Sequence, residues 1–194
     1  MTLILGLGCS DGVILASDSA STDTLAGIKN DVNKIVNIKN EKVNLLCGGS
    51  GNVSVIQDIL DDLATLQKLP QKMYKSKAIF QKAICPILRA AQENYVAPAG
   101  MRPSPPTATT LIAWFFDNEP YVLEISNTGE GTFYGKKYDY FYAIGSGMTL
   151  AQAIACTHRR TQRDLQFGKI FAHRIIEDAI ALASFGLSLP IHMS

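Results

Sequence analysis

Apolar residues in this chain follow two rhythms, and their order along the sequence sets the expected architecture. Residues 2–9 and 12–18 are short apolar runs separated by Asp11-Gly12, a strong signal for a tight antiparallel turn, so they read as a β-hairpin. Val32–Ile38 and Val43–Cys47 read as a second hairpin around Asn40-Glu41. From Val53 the rhythm changes. Apolar residues at 56, 60, 63 and 66 make a helical stripe, with Ser50 or Asn52 as its N-cap. A second helical pattern runs from about Ser76 to Tyr95. Pro86 inside it predicts a kink or break near Cys85, because proline lacks an N–H and crowds the preceding turn. Residues 96–106 are dense in breakers and read as a loop. Strands are expected at about 107–116, 120–126, 130–134 and 140–144. Helices at about 147–160 and 169–184 and a short strand at 187–193 complete the chain.

The order strands, two helices, strands, two helices excludes a doubly wound sheet and a helical bundle. Leu3, Leu5 and Leu7 alternate with Ile4 and Gly6, so the first strand is apolar on both faces and needs cover on both sides. Two stacked antiparallel sheets with a helix pair on each outer face meet that need. The expected fold class is therefore α+β, a four-layer αββα sandwich. A length of 194 residues fits one domain spanning 1–194.

Composition narrows the function. The formal net charge is +1 with no run of like charges, which argues against nucleic acid or an anionic membrane surface as partner. Lys72, Lys75, Lys77 and Lys82 read as the wet face of a helix. Leu3–Leu7 is too short and lacks the basic flank of a signal peptide, and no apolar stretch is long enough to span a bilayer. Cys9, Cys47, Cys85 and Cys156 form no Cys-x-x-Cys pair and read as reduced thiols of a cytoplasmic protein. His158, His173 and His192 have no acidic or cysteine partners at metal-ligand spacing, so neither a metal nor a cofactor is expected. At 47% hydrophobic residues the chain is more apolar than a lone soluble domain of its size needs, which points to buried subunit contacts.

The candidate chemistry lies in Thr2, Asp18 and Lys34. A threonine in second place carries a hydroxyl and, once Met1 is removed, a free α-amine. That amine titrates at roughly 7.7–8.0 when unperturbed and can act as base for the neighbouring Oγ near neutral pH. A lysine beside the hydroxyl lowers the hydroxyl's pKa, and an aspartate holds the lysine in place. Taken singly, each residue has an ordinary role: a strand threonine, a turn-capping aspartate, an exposed strand lysine.

Their joint order resembles proteasome β subunits and the related bacterial protease HslV. The matching pieces are the opening Thr2-Leu3-Ile4-Leu5-Gly6, the turn Asp11-Gly12, Ala16-Ser17-Asp18-Ser19, Lys34-Ile35-Val36, Cys47-Gly48-Gly49-Ser50-Gly51 and Gly145-Ser146-Gly147. The resemblance covers nearly the whole chain and implies the N-terminal nucleophile hydrolase fold. It implies a threonine peptidase in which Thr2 attacks, Lys34 tunes it, Asp18 orients Lys34 and Gly48 N–H meets the oxyanion. A plain strand-to-helix turn would also explain Gly48. Ser146 is implied to shuttle the proton of the Thr2 amine, and a helix N-cap is its ordinary role. The substrate pocket is implied at Ser21, Val32, Leu46 and Ser50, with Thr22 pairing to substrate backbone. None of these is charged, so apolar side chains are expected at the cleaved position.

The chain departs from the resemblance where proteasome β subunits carry an aspartate and a serine after the last helix. Leu187 and Pro190 stand there, which places the chain nearer the bacterial branch. A backbone-carbonyl cation site at Ser184, Leu187 and Pro190 is a further candidate. The implied assembly is a homo-oligomeric double ring, seven subunits per ring favoured over six, acting on peptide or unfolded protein. An ATP-dependent unfoldase is a candidate partner. The competing readings are a catalytically silent ring subunit and a non-proteolytic amidohydrolase of the same nucleophile class. With Met1 in place Thr2 has only an amide nitrogen, and Lys34 is expected within reach of Thr2 Oγ and Asp18.

Overall fold

A computed structural model describes residues 2–23, 28–39, 43–65, 74, 76–96, 106–134, 141–157, 164–183 and 187–194. The Asp11-Gly12 turn folds β1 (Ile4–Cys9) onto β2 (Gly12–Ser17), pairing Ile4 with Ser17 and Cys9 with Gly12. β10 (Phe141–Ile144) flanks β1, and β11 (His192–Met193) flanks β2, giving an antiparallel sheet in the order β10-β1-β2-β11. A second sheet runs in sequence order through β5 (Ile35–Lys39), β6 (Asn44–Gly51), β7 (Ala108–Phe116), β8 (Glu119–Ile125) and β9 (Gly131–Tyr134). Asp117 and Asn118, both at positive φ, close the β7–β8 hairpin in the mirror-image turn that matches strand twist.

Alternation along β1 divides the core. Leu3, Leu5 and Leu7 face α3 (Met148–Thr157) and α4 (Leu165–Leu182), packing with Ala151, Phe171 and Ile175. Ile4 faces the other way, into a layer between the sheets with Leu15, Ile35, Leu111 and Val122. On the far side, α1 (Val53–Thr65) and α2 (Lys77–Val96) cover β5–β9 through Ile59, Leu63, Phe80, Ile84 and Trp114. The result is the four-layer αββα sandwich expected from the pattern. Two glycines let the sheets approach: a Cβ on Gly6 would stand 3.1 Å from Leu111 and Val122, and one on Gly48 3.2 Å from Ile4.

Several elements differ from the pattern-based reading. β5 begins at Ile35, not Val32, because Asn33 Oδ1 takes the Ile35 N–H at 3.0 Å and diverts the backbone from the ladder. α2 runs unbroken through Pro86. The proline costs one backbone bond, and buried Phe80, Ile84, Leu88 and Ala91 hold the helix on both sides of it. In α1 the buried stripe is Val55, Ile59, Leu60 and Leu63, and Val53 is exposed. Asn52 is its cap, accepting the Ser54 and Val55 N–H groups, while Ser50 lies in β6. A small hairpin of β3 (Ala20–Asp23) and β4 (Ile28–Asp31) was not expected from its polar sequence.

Asn40-Glu41, residues 97–105, Lys72, Lys75 and His158 fall outside the described residues. No described helix is long and apolar enough to cross a membrane. None of the four cysteines forms a disulfide.

Candidate active site

Asp18 organises the site. It follows β2, is wholly buried, and accepts three donors: the Leu3 N–H at 2.8 Å, Lys34 Nζ at 2.6 Å and the Ala20 N–H at 3.0 Å. A buried carboxylate is tolerated only with partners of this kind. The Asp18 N–H returns a bond to the Leu3 carbonyl at 3.2 Å, so both backbone polar groups of Leu3 are tied to residue 18. Lys34 reaches this carboxylate because the turn at Asn33 takes it off the β5 ladder; its side chain is 8% exposed.

Thr2, the residue before Leu3, is held at both backbone polar groups. Its nitrogen donates to Ser146 Oγ at 3.1 Å, and its carbonyl accepts the Gly147 N–H at 3.0 Å. The strap that delivers these partners depends on Gly145, whose φ is +93°. A Cβ there would overlap the Thr2 carbonyl and stand 3.0 Å from Ser50 Oγ, so glycine alone fits. Thr2 and Ser146 are thus bonded directly, Asp18 and Lys34 likewise, and Leu3 joins the two pairs through its bond to Asp18.

The remaining candidates surround them. Gly48 lies in β6 in register with Ile35, the residue after Lys34, and its open side faces Ile4 and Leu15 between the sheets. Leu46, 6% exposed, belongs to the same inter-sheet layer. Ser21 is half-buried in β3, Thr22 pairs in register with Lys29, and Val32 is exposed with its N–H donated to the Ser19 carbonyl. Leu187 is buried beside Gly147 and Pro190 is exposed, while Ser184 falls outside the described residues. Cys47, next to Gly48, is no rival nucleophile: complete burial pushes its thiol up to about 12, so it stays protonated.

A family model described as Proteasome subunit matches residues 2–187. The chain belongs to the proteasome subunit family. It is 31% identical over 187 residues to proteasome subunit beta 2 of Pyrococcus abyssi, an alignment spanning 92% of this chain and 79% of that one. Proteasome subunit beta 2 of Pyrococcus furiosus is 30% identical with the same coverage of each chain. Among solved structures, Anbu from Yersinia bercovieri, described as an ancestral beta-subunit, superposes with a TM-score of 0.77 at 15% identity, covering 98% of this chain and 80% of that one. The Anbu complex of Pseudomonas aeruginosa, described as a helical assembly, gives 0.79 at 14% identity, with 99% and 80% covered.

In this proteasome-family chain, two residues that shape the site were given no role of their own from the sequence. Asn33 aims Lys34, and its signal was an asparagine two residues before an apolar strand, the usual place for a side-chain-closed turn. Gly145 admits the Thr2 carbonyl; its signal was a glycine ahead of a helix, which many turns share.

Proposed function

We propose that this chain is a threonine peptidase subunit of a self-compartmentalising assembly, with Thr2 as nucleophile once Met1 has been removed. The arrangement of Thr2 is the main support: its nitrogen meets Ser146 Oγ while its neighbour Leu3 shares one carboxylate with Lys34. A free amine at the Thr2 nitrogen would take the Oγ proton, with Ser146 relaying it. Oγ then attacks the scissile carbonyl carbon, and the tetrahedral oxyanion takes a backbone N–H, for which Gly48 is the candidate. The C–N bond breaks as the amine's proton passes to the leaving nitrogen. An ester on Thr2 remains, and water cleaves it to release the acid and restore the hydroxyl. Asp18 and Lys34 act by placing positive charge near Oγ.

Intact mass of the purified chain, before and after an electrophilic threonine-directed inhibitor, tests this reading. One added inhibitor on a chain lacking Met1, and none on Thr2→Ala, is the expected result; hydrolysis retained by Thr2→Ala would overturn it. A fluorogenic panel should show fastest cleavage after apolar residues, because the uncharged pocket set Ser21, Thr22, Val32, Leu46 and Ser50 offers no partner to a buried charge.

We propose further that residues 1–194 act as one domain in a homo-oligomeric double ring in the cytoplasm, fed by an ATP-dependent unfoldase. Exposed Ile79, Phe167, Ile170 and Leu182 are the kind of apolar surface that copies of a chain cover. Light scattering should give a large multiple of the 21.1 kDa subunit, and a monomer at micromolar concentration would refute the assembly.

A further inference from the structure

We propose that Ser19, Asp31 and Ser188 form a clasp of positioning residues that keeps Asp18 in register with Lys34. Ser19 is wholly buried and directly follows Asp18. Its hydroxyl lies 3.1 Å from Asp31 Oδ1, 3.3 Å from the Ser188 carbonyl and 3.3 Å from Ser188 Oγ. Ser188 Oγ in turn stands 3.5 Å from the same Asp31 oxygen. The Ser19 N–H donates to the Ser188 carbonyl at 3.1 Å, and its own carbonyl accepts the Val32 N–H at 2.9 Å. Every polar group of Ser19 is therefore engaged by residues 31, 32 and 188.

Three segments meet here. The first carries Asp18 and Ala20, which bond to each other; the second leads from Asp31 to Lys34; the third is the turn that ends in β11. Asp31 pairs with Ala20 in the β3–β4 ladder, so the clasp closes the base of that hairpin at its side chains as well. With residues 19 and 20 fixed on one side and 31 and 32 on the other, Asp18 and Lys34 have little freedom to part. Reactive constellations lose rate steeply when a group is displaced by even ~1 Å. Asp31 is exposed, so its bonds add little to global stability and act mainly on this local geometry. Residues 31 and 188 are 157 positions apart, so only the fold brings them together.

The activity consequence rests on the Thr2 reading; the geometry does not, and a test independent of turnover separates them. Competitive acetylation, read by mass spectrometry, compares Lys34 with exposed Lys169 in the assembled protein. Asp31→Ala and Ser188→Ala should raise Lys34 labelling relative to Lys169 by roughly three- to tenfold, the factor that losing one or two ordinary hydrogen bonds allows. Asp31→Asn, which keeps an acceptor oxygen, should recover most of the protection. In peptide hydrolysis Asp31→Ala should lower kcat by a similar factor with KM nearly constant. Unchanged Lys34 labelling in Asp31→Ala, or an equal rise at Lys34 and Lys169, overturns the clasp. Wild-type protein without any hydrolysis, but with the expected labelling pattern, would overturn the Thr2 reading and leave the clasp standing.

Discussion

Cutting the Asp18–Lys34 pair from its two ends should have unequal effects. Asp18→Ala strips the acceptor from three donors at once. Two are backbone N–H groups, of Leu3 and Ala20, and the third is an ammonium only 8% exposed. A buried donor left without a partner costs about 1–3 kcal/mol, and breaking a buried pair from one side typically costs about 3–5 kcal/mol. These figures overlap, so about 3–5 kcal/mol is expected for the whole change, a large share of the ~5–15 kcal/mol that holds a domain. Lys34→Met keeps the apolar stem and leaves the Asp18 carboxylate its two backbone donors, so about 1–2 kcal/mol is expected. Guanidinium unfolding at one fixed protomer concentration measures both, since assembly itself adds stability that depends on concentration. Both variants should be inactive, but Lys34→Met should remain folded and assembled. Equal destabilisation by the two substitutions, or a loss below about 1 kcal/mol for Asp18→Ala, would refute the view of Asp18 as the hub.

Gly145→Ala should lower the melting temperature and abolish hydrolysis together, because a side chain at φ +93° meets the Thr2 carbonyl; strain of this kind costs about 1–3 kcal/mol, and near-normal turnover would count against the strap. Cys47 should resist alkylation in the native protein, since a thiol raised to about 12 is roughly one part in ten thousand thiolate at pH 8. Exposed Cys156 should react first in the same peptide map, and native labelling at Cys47 would show that burial does not silence it.

The layers were legible because burial leaves a period in the sequence. Leu3, Leu5 and Leu7 on one face of β1, with Ile4 on the other, already required cover on both sides, and the structure holds a separate apolar cluster on each face. Polar elements were not legible. β3 and β4 carry Ala20-Ser21-Thr22-Asp23 and Ile28-Lys29-Asn30-Asp31, which no apolar alternation marks as strands; their pairing follows from the anchors at Asp18 and Ser19. Pro86 does not break α2, because burial on both sides of it outweighs the local rule. Within the site, Thr2, Asp18 and Lys34 could be read from their order, but Ser19, Asp31 and Ser188 meet only in three dimensions.

The rooting of Thr2 has a consequence for timing. Residues flanking a first strand commonly fray with an opening free energy near zero. Here Leu3 is bonded through both its backbone groups, and β1 lies between β10 and β2 inside its sheet. Breathing of this corner must therefore draw on the stability of the sheet, and the Leu3 amide should rank among the slowest to exchange with deuterium. Thr2, joined to Leu3 and bonded at both of its own backbone polar groups, is thereby seated in the same stiff ground.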